Sequence, residues 1–310
     1  MQNRKSKINY NKWGIRYIMP FIIIYVLFSL IPLLSTLYYS FFEYYFKFGG
    51  LEQVGPNFAW FDNYIKVFTE GKFFTYFGNT MILWILGFIP QIIISLLMAV
   101  WYTSTRLNVK GQSFFKTIMY MPNLVMASAF SLLFLRLFAN NGPVTNMLMD
   151  LNLVPTTFSF VDRVWSTRGL IALMNFLMWF GNTTILLMAG IMGIDQTVIE
   201  SAQVDGASAT QTLWHIILPL LKPILLFVMI TSLVGGVQMF DIPSIFTGST
   251  GGPKQGAMTI MMYIADLLSI SKQYGLAGAV STVLFVITAV ISILFFYFFN
   301  REETKTKAVK

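Results

Sequence analysis

Six stretches of this chain are too apolar, over too many residues, to belong to a soluble domain. The first, YIMPFIIIYVLFSLIPLLSTLYYSFF, runs from Tyr17 to Phe42. The others cover about Asn79–Tyr102, Phe115–Phe138, Leu170–Met192, Leu220–Phe240 and Gly275–Asn300. A helix needs about 20 apolar residues to cross the hydrocarbon of a bilayer, and helices and closed barrels are the structures that satisfy their backbone there. The class is therefore an all-α polytopic membrane protein with six transmembrane helices, read as one domain over 1–310. Charged residues make up only 11%, against roughly 25% in soluble domains. The basic start resembles a signal peptide, but the apolar part that follows exceeds the about 7–15 residues of a signal core and carries no small-residue cleavage site. It is read as a retained span.

An even span count puts both termini on one side, and the Lys/Arg bias says which. Thirteen of the 21 basic residues lie on the termini side: Arg4, Lys5, Lys7, Lys12 and Arg16 ahead of the first span, then Arg106, Lys110, Lys116, Lys222 and the tail from Arg301. This predicts a cytoplasmic N-terminus (1–16), a six-span core (17–300) with a cytoplasmic loop at 193–222, and a cytoplasmic tail (301–310). The +8 net charge is thus an orientation signal rather than a nucleic-acid footprint.

Several chemistries are excluded. The chain has no cysteine and a single histidine, His215, so thiolate and histidine-rich metal sites are absent. His215, between Trp214 and Ile216, reads as a packing residue. There is no Gly-x-x-x-x-Gly-Lys-Ser/Thr phosphate loop and no paired carboxylates beside a nucleophile or base. The chain reads as a transport subunit and not an enzyme, without a cofactor of its own; ATP and Mg, where used, belong to another chain. An ion-coupled secondary transporter needs intramembrane carboxylates, whereas the spans hold none and, apart from Lys222 at the loop edge, only Lys116 and Arg136 near their ends.

Breakers interrupt the apolar runs at Pro90–Gln91, Pro122–Asn123 and Gly235–Gly236. Such groups at membrane depth belong inside protein or along a wet cavity, which favours a translocation path over a simple anchor. The loops at 43–78, 139–169 and 241–274 are long enough to carry binding roles.

The stretch IESAQVDGASATQTLWHIILPLLKP (199–223) is small, polar and acidic between two apolar runs. Thr197–Glu200 and Ser208–Gln211 each have the form of a capping box, and Asp205–Gly206 suits a left-handed turn. The expectation is two short helices hinged at Gly206, with Pro219 and Pro223 leading into the fifth span. Ala202, Gly206 and Ala209 form a small-residue face that another protein could approach closely.

Glu200-Ser-Ala-Gln-Val-Asp-Gly206, then nine residues, then Ile216-Ile-Leu218-Pro219, resembles the EAA loop of binding-protein-dependent ABC importer permeases. Ser201 replaces the first alanine of the pattern, and Asp195 stands where many sugar permeases have proline. FDNYIKVF, GNTMILW, NGPVTNMLMDLNLVP, WFGNTTILLMAGI, TGGPKQGAMTIMMYI and YGLAGAVSTVLFVI resemble the carbohydrate branch, the maltose-type first permease subunits. The resemblance implies an ABC type I importer core whose loop docks on a cytoplasmic ATPase through Glu200, Ser201, Ala202, Asp205 and Gly206, with Leu218 and Pro219 bracing it. It also implies a second homologous permease subunit, two ATPase subunits, an extracellular solute-binding protein and, most specifically, an oligosaccharide cargo. Another polar solute such as glycerol phosphate is the alternative. Sugar recognition needs hydroxyl-pairing groups beside apolar rings; Trp179, Asn182 and Thr184 in the fourth span, with Gln238 and Asp241 at the end of the fifth, are the candidates. Asn182 and Gln238 serve equally well as interhelical hydrogen-bonding groups.

Overall fold

The computed structural model describes residues 10–70, 72–104 and 111–307. Arg4, Lys5, Lys7, Arg106, Lys110 and Lys310, which entered the sidedness reading, lie outside the described residues. The described chain is mostly helical and falls into two compact units, one from the described part of Met1–Glu70 with Asp266–Phe285, the other from Gly71–Ala265 with Val286 onward.

The first unit opens with α1 (Tyr10–Tyr25), a π turn (Val26–Leu30) and α2 (Ile31–Tyr39). Pro32 explains the turn: a proline ring clashes with the carbonyl four residues back, and widening the preceding turn relieves that clash. This span, Trp13–Tyr39, buries none of its most apolar window within the chain.

A hairpin of β1 (Phe42–Lys47) and β2 (Glu52–Phe58) follows, paired from Phe42 with Phe58 to Lys47 with Glu52. The sequence did not announce it, because FEYYF continues an apolar run that reads as the end of a span. Then comes α3 (Asp62–Thr69), where the FDNY segment acquires a physical meaning. Asn63 is buried, and its amide nitrogen donates to Ser40 O at 2.9 Å and Phe42 O at 2.8 Å. It thereby satisfies carbonyls that the helix-to-strand transition leaves open. The Tyr64 hydroxyl shares a 2.6 Å hydrogen bond with Ser40 Oγ.

The second unit is built on α4 (Lys72–Thr103) and α8 (Val164–Met192). Leu83, Ile171, Met174 and Leu187 on these helices are fully or almost fully buried. Polar groups tie the pair together where lipid could not solvate them: Gln91 Nε2 donates to Thr183 Oγ1 at 2.7 Å, and Ser95 Oγ to Phe180 O at 2.8 Å. Pro90 lies within α4, which runs on past it, so that breaker does not interrupt its span. By contrast, the third span is broken. Helices α5 (Gln112–Leu124) and α6 (Ala127–Leu137) meet at 91° directly after Pro122–Asn123, and Asn123 Nδ2 donates across to Met178 O at 3.1 Å. Gly235–Gly236 also fails as a breaker: α11 (Leu218–Val237) continues through both, and the chain leaves the helix only at Gln238.

The short helices α7 (Pro143–Asp150), α9 (Gln196–Val204), α10 (Ala209–Thr212) and α12 (Asp241–Phe246) join the longer ones, with α13 (Ile260–Ser269) and the final α14 (Tyr274–Lys307) completing the order. Among the described residues, five helices are long and apolar enough to span a membrane, and the bent pair α5–α6 makes a sixth. Two further motifs explain one another. Asn79 of GNT donates to Gln255 O and Met258 O at 3.0 and 3.2 Å, and Thr80 Oγ1 accepts from Ile260 N at 2.9 Å. Arg168 donates to Gly256 O at 2.8 Å and to Asn79 Oδ1 at 2.6 Å. The TGGPKQGAMT loop is thus pinned by side chains of α4 and α8.

Candidate translocation cavity and coupling loop

Helices α4, α8 and α11 line a partly open cavity of about 400 Å³ within the second unit. Its wall carries rings (Trp84, Phe88, Trp179, Phe227) and amides and hydroxyls, chiefly Gln91, Asn175, Asn182, Thr231 and Ser232. Its shape depends on Gly236. A Cβ there would lie 2.2 Å from Trp84 Cδ1, so only glycine lets the indole lie against α11. Trp84 then donates Nε1–H to Ser232 Oγ at 3.1 Å and stacks on Phe88, with centroids 5.3 Å apart at 12°.

Of the five residues singled out for the substrate path, Trp179 and Asn182 line this cavity. Trp179 is half exposed, and Asn182 has no side-chain partner among the described residues. Thr184 does not line it, being 2% exposed with its hydroxyl given to Phe180 O at 2.8 Å. Gln238 and Asp241 are exposed, on the far side of the helix end that follows Val237. Thr184 falls outside because successive residues on a helix point about 100° apart, so Asn182 and Thr184 cannot share a face. Sequence reasoning missed Trp84, Asn175 and Ser232. Asn175, lone among apolar neighbours, and the Thr231–Ser232 pair within an apolar run were the available signal.

The loop after α8 forms the helix-turn-helix that the sequence suggested, with different details. The first cap is Asp195, not Thr197: its Oδ1 accepts from Thr197 N at 3.0 Å and Thr197 Oγ1 at 2.8 Å. These hydrogen bonds, backbone first, hold the Asp195 carboxyl below its ordinary value of 3.8. The second box forms as read, with Gln211 N to Ser208 Oγ at 3.3 Å and Ser208 N to Gln211 Oε1 at 2.8 Å. Gly206 has φ +83°, the left-handed turn that favours glycine. Because α9 ends at Val204, Gly206 and Ala209 lie beyond it, and the three small residues do not share one helix face.

Glu200, Ser201, Asp205 and Gly206 are exposed and Ala202 is half-buried. Val204 is 88% exposed, an apolar side chain held out beside two carboxylates. Leu218 is half-buried and Pro219 exposed; the deeper anchor is Ile217, which joins the cluster of Leu187, Ile191 and Leu221. His215 is exposed too, its Nδ1 3.1 Å from Gln211 O, so it is not a packing residue. A second π turn, Leu213–Ile217, precedes Pro219 as the first precedes Pro32. Helix therefore begins at Ala209, eleven residues before the expected start of the fifth span.

Comparison with known proteins places this arrangement. The family model described as binding-protein-dependent transport system inner membrane component matches residues 91–304, and the chain belongs to that family. It is 27% identical to the lactose transport system permease protein LacF of Rhizobium radiobacter, over 93% of this chain and 94% of that protein. It is also 27% identical to the multiple sugar-binding transport system permease protein MsmF of Streptococcus mutans, over 91% and 93%. Among solved structures, a chain of a bacterial ABC transporter involved in import of the acidic polysaccharide alginate has the same fold, with TM-score 0.74, 22% identity and coverage of 94% of this chain and 96% of that one. This protein is a multi-pass membrane component of a transport system, with the importer-permease fold the resemblance implied.

Proposed function

We propose that the chain is one of two homologous permease subunits of an ATP-driven oligosaccharide importer in a bacterial cell membrane, with both termini cytoplasmic. Two ATPase chains would bind ATP and Mg below it, and an extracellular solute-binding protein would deliver cargo from above. The observation that carries the reading is that α11 lines a cavity of rings and amides while its root, through the π turn and α10, is the exposed helix-turn-helix at 195–212.

Rings beside amides are the chemistry of sugar recognition: apolar ring faces stack while hydroxyls pair. The names of relatives add support, since those matched include permeases for lactose, arabinooligosaccharides and trehalose/maltose. At the loop, Glu200 and Asp205 offer acceptors to basic groups and Val204 an apolar knob. Ser201, Ala202 and Gly206 are small enough to admit a close partner, and Leu218 and Pro219 begin the rod behind them. Closing of the ATPase pair would pull the two coupling loops together and open the bundle outward; hydrolysis would reset it.

The test is co-expression with the neighbouring genes, native against Glu200→Arg/Gly206→Pro. A proline fixes φ near −65° and cannot occupy the turn. The expected outcome is loss of ATPase co-purification or of receptor-stimulated hydrolysis in the double variant. Retention of both would reduce Glu200 to an ordinary helix residue and remove the coupling role.

A further inference from the structure

The cavity between α4, α8 and α11 carries no formal charge. None of the described residues lining it is Asp, Glu, Lys, Arg or His. Its hydrogen-bonding capacity is also unequal. The Trp84 N–H is occupied by Ser232 Oγ. The Asn175 amide nitrogen donates to Ile171 O at 3.0 Å and to Met239 Sδ at 3.4 Å. A carbonyl acceptor forces the nitrogen to that side, so Asn175 is left with its oxygen. Gln91 gives one Nε2 hydrogen to Thr183 Oγ1 and keeps its second hydrogen and Oε1. The Thr231 hydroxyl donates to Phe227 O at 2.7 Å. Among the described lining residues, Asn182 has its whole amide free, both donors and the acceptor.

Resting on the oligosaccharide reading, we infer that this cavity selects an uncharged, hydroxyl-bearing ring and rejects uronates and phosphate esters. A carboxylate or phosphate is an acceptor only. The neutral donors of Asn182, Gln91 and Ser232 could pair with part of it, but with no cation in the lining its charge would give up hydration without a counter-charge. A sugar hydroxyl both donates and accepts: it gives its proton to Gln91 Oε1 or Asn175 Oδ1 and takes one from Asn182 Nδ2. Trp179 and Phe227 supply faces for the C–H side of the ring. The lining therefore differs in kind from one suited to the acidic polysaccharide of the structural neighbour. An ammonium-bearing sugar gains from the acceptors but loses its hydration without an anionic partner, so it too is disfavoured.

The test is saturation-transfer NMR on the whole permease–ATPase complex in nanodiscs, without the solute-binding protein, so that receptor specificity does not mask the cavity's own. Probes are lactose, trehalose, maltotriose and arabinotriose as neutral sugars, with trigalacturonate, glycerol 3-phosphate and glucosamine as charged ones. At least one neutral sugar is expected to give a signal that Asn182→Ala or Trp179→Ala weakens about tenfold or more, with charged probes at the Asn182→Ala background, in line with rejection where polar groups go unpaired. Asn182→Lys, which introduces a cation, should raise trigalacturonate above that background. A charged probe that matches the neutral sugars and is lost in Asn182→Ala overturns the selectivity while leaving the sugar importer standing. Failure of every sugar to bind, with receptor-stimulated ATP hydrolysis intact, overturns both the selectivity and the sugar reading.

Discussion

Gly236 and Gly235 are neighbours in sequence with opposite constraints. A Cβ on Gly236 would strike the Trp84 ring, whereas one on Gly235 meets nothing within 4 Å. Gly236→Ala is expected to cost about 1–3 kcal/mol through overpacking, read as a fall in Tm of the purified complex. Gly235→Ala should leave Tm unchanged or slightly raised, since alanine favours helix. A second residue-scale expectation concerns Asp195. Its carboxyl is held low by Thr197, so the cap is complete at neutral pH and is lost only as pH falls below about the ordinary 3.8. Deuterium uptake over 196–200, corrected for intrinsic exchange, should rise at pH 7 in Asp195→Ala and only in acid in the native chain. At this scale the sequence was half legible. Trp179 and Asn182 could be picked from their run, because a ring and an amide amid aliphatics stand out. Trp84 could not, since its position depends on an approach to Gly236 from another helix 152 residues later.

The elements were more legible than their ends. Every apolar run became helix over most of its length, because a bilayer leaves the backbone few other ways to satisfy itself. The early start of the fifth helical stretch is set by the local Ser208–Gln211 cap, whereas the hairpin was hidden because tertiary partners, not local propensity, decide where it begins. Lys272 illustrates this, its backbone carbonyl accepting from Phe46 N at 3.0 Å and its ammonium donating to Gly49 O at 2.7 Å. The pinned TGGPKQGAMT loop offers a test of element-level reasoning. Arg168 makes two hydrogen bonds to it and its anchor, each charge-assisted and worth about 1.5–3 kcal/mol where well shielded. Arg168→Ala should expose Lys254 to trypsin several-fold faster in the purified complex, with Arg168→Lys intermediate because an ammonium cannot reproduce the planar fork. An unchanged rate would mean that Asn79 and Thr80 suffice to hold the loop.

For the whole molecule, the cavity and the loop make separable demands. Asn182→Trp fills the cavity without touching residues 195–212, so uptake in proteoliposomes should fall to background while the ATPase still co-purifies. Loss of both together would show that the wall of the cavity and the handle are not independent parts. They are nevertheless one piece of material. From Ala209 through the π turn to Ser232 the chain remains helical without a break, a rod of about 35 Å at the rise of a helix. A lever of that kind works from either end. What tilts its foot moves one wall of the chamber, and by reciprocity of linked equilibria what fills the chamber alters how the foot presents itself. In an importer built as proposed, the receptor that brings the cargo would not be the sole signal: the transported molecule, once in the chamber, would itself be in a position to call for fuel.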